Sequence, residues 1–278
     1  MQFGCRKRAR KIAKRNFMHI RFFIFCIMLL AGCGARIAPT PTALIPQPTA
    51  RPSPTATLTA QANAQQIFPL TRGAQWVYQE VAYDTIPNDV LPERLNRQIT
   101  ATLLVTDTVM ETQTRAPYYA ARVVRARAIV STTVALAELG EYGEIIFADN
   151  APATKWYIFA GDKIYSQSET LDWNTVETAT LELQLPLAQG ARWYPDAQQR
   201  AQFSTDEMVP GLRAVERAPR LDLPFGALSD CFVLHDFFNG GGVLTEFCPG
   251  VGIVGEHFDH AGTPFGSHKQ LRQFTRGE

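Results

Sequence analysis

The chain has five cysteines, and their surroundings differ. Cys33 ends the run Leu30-Ala31-Gly32-Cys33, directly behind the apolar stretch Phe22 to Leu30. A thiol preceded by two small residues suits a narrow peptidase site and can then carry acyl groups on its sulfur. Cys5 and Cys26 lie upstream of that point. Cys231 and Cys248 lie far downstream, on either side of Asn239-Gly240, a dipeptide that suits both positive-φ positions of a type I′ turn. With that turn, Phe238 faces Gly241, and counting outward sets Cys231 opposite Cys248. The pair falls at a non-hydrogen-bonded position with Cα atoms about 4.5 Å apart, within disulfide range. Such a bridge closes a loop of about eighteen residues and contributes on the order of 3 kcal/mol. A turn at Gly240-Gly241 or Gly241-Gly242 would shift the register and lose the alignment.

Other residues of chemical interest are less convergent. His257, Asp259 and His260 are metal-ligating types, but on a strand only residues 257 and 259 share a face, so no metal is assigned. Ser267-His268 sets a hydroxyl beside a base in sequence, yet neighbours on a strand point apart, and no Gly-x-Ser-x-Gly turn exposes a serine. Asn239 to Gly242 is glycine-rich but opens no helix, which argues against a phosphate cradle. Glu138, Glu141 and Glu144 would line one face of a short helix over Val134 to Leu139 if it extended, as a solvated face. Arg125 and Arg127 share a strand face, where they either meet an anionic ligand or pair with acids across strands. No catalytic constellation emerges. The chain is expected to be non-enzymatic and to need no cofactor.

Segment composition sets where these residues are displayed. Residues 1–32 read as an export signal, with a basic stretch from Arg6 to Arg21 and an apolar core too short to span a bilayer. The run ending at Cys33 resembles the lipobox of bacterial lipoproteins. That resemblance implies removal of residues 1–32, acyl chains on Cys33 and a location outside the cytoplasm, anchored to a bacterial cell membrane. Residues 33–66 are rich in Pro, Thr and Ala, with too few large apolar groups to offset ordering entropy, so they read as an extended tether. The eight basic residues of the signal conceal the charge of the rest: without them, 19 basic residues face 26 acidic ones, about −7. An acidic body argues against nucleic acid as a partner.

Residues 67–278 form one β-rich domain. Ile99, Ala101, Leu103, Val105 and Val109 alternate with threonines, the period of a strand with one buried face. Leu104 and Asp107 break the alternation, and the strand is expected to end or bulge near Asp107. Tyr118 to Val134 is a second strand, and Trp156 to Ser168 a hairpin turning at Ala160-Gly161-Asp162. Phe68-Pro69-Leu70 with Gly73 and Trp76 recurs as Leu185-Pro186-Leu187 with Gly190 and Trp193, which suggests two halves of one sheet. The fold class is all-β or β-dominated: an antiparallel sheet curved into a half-barrel or sandwich, with little helix. The opening Phe68 to Tyr78, the turn Leu223-Pro224-Phe225-Gly226 and the close Pro249 to Val254 resemble uncharacterised bacterial lipoproteins with curved antiparallel sheets. The reading that follows is a binding protein for an apolar or amphipathic small molecule. The alternative is a structural module that meets another envelope protein, and a secreted hydrolase ranks below both.

Overall fold

The computed structural model describes residues 65–85, 98–135, 152–206, 210–238, 241–260 and 265–278. Cys33, the signal and tether, Glu138, Glu141, Glu144, Asn239 and Gly240 lie outside the described residues, as does most of the helix expected over Val134 to Leu139. Twelve strands form one antiparallel sheet that is nearly closed into a barrel. The first six are β1 (Gln75–Thr85), β2 (Gln98–Arg115), β3 (Tyr118–Thr132), β4 (Ala153–Ala160), β5 (Lys163–Ser168) and β6 (Thr180–Gln184). The second six are β7 (Arg192–Trp193), β8 (Arg213–Leu223), β9 (Gly226–Phe238), β10 (Gly241–Cys248), β11 (Gly252–His260) and β12 (Gly266–Thr275). A short helix, α1 (Ala197–Gln202), is capped by Asp196, whose carboxylate accepts from the Gln199 amide at 2.9 Å.

Each half is a meander, and the halves join where β1 pairs with β12. A single curled sheet therefore forms in place of a sandwich, and its outer strands β6 and β7 meet with little ladder between them. Side chains and loops stitch that meeting. The Leu181 amide donates to the Pro195 carbonyl at 2.9 Å, and the Trp193 indole to the Leu181 carbonyl at 3.2 Å. Arg200 of α1 donates to the carbonyls of Glu177 and Ala179 on one side and of Tyr194 and Pro195 on the other. The Trp repeat marks the start of each half. Trp76 opens β1 and Trp193 opens β7; both are buried, and each follows a glycine at positive φ, Gly73 at 84° and Gly190 at 80°.

The alternation over residues 99–109 survives intact, with Leu104 exposed on the outer face. The strand does not end at Asp107, whose buried carboxylate accepts from Arg125 directly opposite on β3. β2 shifts register between Val109 and Glu111, the bulge expected near this point, and continues to Arg115. One end of the barrel is floored by the segment ahead of β1. Phe68 enters the interior with its ring centroid 5.3 Å from Tyr157, 5.7 Å from Phe247 and 6.1 Å from Trp76. Backbone bonds hold the segment in place, from Gly250 to the Ile67 carbonyl at 2.8 Å and from Gly73 to the Val109 carbonyl at 2.9 Å. Gly252 makes room for this: a Cβ there would lie 2.6 Å from the Phe68 ring. The β9–β10 hairpin pairs Phe238 with Gly241 and Phe232 with Phe247. One step further, Cys231 and Cys248 form a disulfide with Cα atoms 4.3 Å apart, buried beside the floor.

Candidate functional site

Strand alternation sends every second side chain into the barrel, and several of those positions carry charge. Asp107 and Arg125 face each other across β2 and β3, joined by two bonds of 2.8 Å from Nε and Nη2. Arg213 and Asp236 make the same two-pronged contact across β8 and β9, both bonds at 2.5 Å. The remaining Arg213 nitrogen crosses the seam to the Glu182 carbonyl at 2.5 Å. Glu182 also lies 2.5 Å from Lys155 and accepts from Ser166 at 2.6 Å. Glu256 pairs with Lys269, and Glu80 lies 3.6 Å from Arg127. Together these residues form a belt of paired charges around the inner wall.

The belt surrounds a cavity of about 450 Å³. Below it lie Phe68, Val123, Leu183, Phe247 and Ile253; above it lie Thr154, Ser168 and Thr180. Phe68 and Phe247 are fully or nearly fully buried, whereas Ala153, Ser168 and Thr180 at the far strand ends are exposed. The cavity therefore opens away from the floor. Its size falls within the range of small-molecule sites, and its lining combines apolar surface with placed polar groups.

Neighbouring charges offset burial at several belt residues. Burial works to raise the Glu182 carboxyl, yet Lys155 and Arg213 hold it down at about 2. Burial opposes Glu256 in the same way, and Lys269 with Arg125 lowers it. Burial also works against charge on Arg125, Lys155 and Arg213, but their acidic partners leave each more basic than usual. The Tyr157 hydroxyl is pushed up by burial and stays a donor. In these charge states the carboxylates accept hydrogen bonds and the basic groups donate them.

The structure separates the residues singled out by sequence. Arg125 and Arg127 both pair with acids, on β2 and β1. His257 and Asp259 do share the outer face, bonded at 2.6 Å, and His257 lies beside His268 with ring centroids 5.3 Å apart. Among the described residues no group of three or more His, Cys, Asp or Glu is arranged to hold a metal ion. Ser267 pairs with Ala82 on the inner face, and its neighbour His268 points outward beside His257. Lys155, Glu182, Arg213, Asp236 and Glu256 had no motif to announce them. Their signal is a charge on the apolar parity of a strand, as in Arg213-x-Val215 or Leu234-x-Asp236.

No protein-family model and no curated protein matches the sequence. Three solved chains resemble this one. One is a candidate lipoprotein from Parabacteroides distasonis ATCC 8503, 11% identical, with a TM-score of 0.37, covering 75% of this chain and 98% of that one. Another is a candidate exported protein with a YmcC-like fold from Bacteroides fragilis NCTC 9343, 12% identical, with a TM-score of 0.34, covering 74% and 96%.

Proposed function

We propose that the protein is a non-catalytic, membrane-anchored binding protein outside the cytoplasm, whose barrel holds an amphipathic small molecule. The cavity carries this reading: apolar at its floor, ion-paired around its middle and open at the far end. A wholly apolar guest would strip water from the belt and return no hydrogen bonds, which is costly for buried ions. An amphiphile answers both surfaces. Its chain lies against Phe68, Phe247 and Ile253, while its head meets the belt and the hydroxyls of Thr154, Ser168 and Thr180. The lipobox-like run at Cys33 supplies the anchor, and the acidic body disfavours nucleic acid.

The test is to extract the chain from its membrane without detergent, denature it and analyse the small molecules released. Val243→Trp, which fills the cavity from β10, serves as the reference. An amphiphile enriched on the native chain and absent from Val243→Trp supports the carrier. Identical extracts favour the second reading, an envelope interaction module. The observation behind that reading is the exposed pair Phe237 and Leu244 on the outer face of adjacent strands β9 and β10.

A further inference from the structure

The charges of the cavity wall balance. Arg125, Arg213 and Lys155 line the cavity beside Asp107, Asp236, Glu182 and Glu256. Lys269, which pairs with Glu256 from outside the lining, completes the balance, so that each acid already has a basic partner. An ionic head entering this space would lose its hydration and meet no net countercharge. The charges of Arg125 and Arg213 are already neutralised by Asp107 and Asp236, so neither offers an uncompensated positive charge to an anionic head.

Hydrogen-bonding capacity, in contrast, is left over. Arg125 commits only Nε and Nη2 to Asp107, so the rest of its five N–H donors are free to bind a guest. Carboxylates with one partner keep acceptor sites, and Ser168, Thr154 and Thr180 at the opening act both ways. Donors and acceptors are thus both present on the wall. A hydroxyl, which donates and accepts at once, can use both; a carboxylate or an ammonium can use only one kind.

Resting on the carrier reading, we infer that the bound amphiphile has an uncharged, hydroxyl-bearing head and that ionic heads are rejected. Octyl β-glucoside, octanoate and octylammonium share one chain length, so differences among them report the head alone. The full-length chain in phosphatidylcholine discs is titrated calorimetrically with each, below micelle formation, against empty discs. The glucoside is expected to bind at least about tenfold more tightly than either ion, a gap of about 1.4 kcal/mol, with little dependence on salt. Unbalancing the wall should shift the preference: Glu256→Gln gains affinity for octanoate, and Lys155→Met, at a half-exposed position, gains it for octylammonium. Tighter binding of octanoate or octylammonium to the native chain overturns the inference while sparing the carrier. Failure of all three probes to bind overturns both.

Discussion

The floor of the barrel and the belt above it are both buried, yet they are built from opposite materials. At the floor, Phe68, Trp76, Tyr157 and Phe247 pack edge to face, and the Cys231–Cys248 bridge ties the neighbouring hairpin. The Trp76 indole has its polar atom satisfied, donating to the Val251 carbonyl at 2.6 Å. A few ångströms higher, acids and bases share the same inner wall. Exchanging a buried ion pair for well-packed hydrophobic residues is often neutral or stabilising, so stability alone does not explain the belt. The contrast assigns folding to the floor and, on the proposed function, recognition to the belt.

That division can be broken most sharply at Phe68. Phe68→Ala should cost about 3–5 kcal/mol, because the floor segment cannot collapse into the space left behind; urea unfolding of the oxidised chain measures it. Replacing both cysteines by alanine should cost on the order of 3 kcal/mol by releasing the loop in the unfolded state, read by the same assay. Thiol titration of the native chain should find neither Cys231 nor Cys248 reactive.

The belt is expected to answer to pH instead. Glu182 has an ordinary value of 4.5 and is held at about 2 in the fold. Its lowered value favours folding above about 4.5, and that contribution, on the order of 3 kcal/mol, is lost as pH falls through about 2. Glu182→Gln should therefore flatten the stability profile between those two values. The smallest expected change in stability comes from removing a pair whole. Asp107→Leu with Arg125→Met should shift unfolding by less than about 1 kcal/mol, while abolishing amphiphile binding. A large loss of stability with binding intact would reverse the roles given to floor and belt.

Much of the floor was legible in the sequence, and little of the belt was. Asn239-Gly240 and the alternation around it located the cysteine pair, since a two-residue turn fixes every pairing further out. The Trp76 and Trp193 repeat anticipated two halves, because a glycine-led turn followed by a large aromatic residue is a local signal. Closure was harder to read: it rests on β6 meeting β7 through Arg200, Arg213 and backbone groups far apart in sequence. Asp107 looked like a strand breaker because its partner Arg125 is on another strand. The remaining charges look like ordinary surface residues until the barrel closes around them.

The most direct test of the division is to locate a chain and its head inside the barrel. Crystals of the protein soaked with an alkyl glucoside brominated at the chain terminus would give the bromine position by anomalous scattering. A peak beside Phe68 and Phe247, with the sugar at Arg125 and Lys155, is the expected result. A peak on the outer face at Phe237 and Leu244, with the cavity empty, would contradict it.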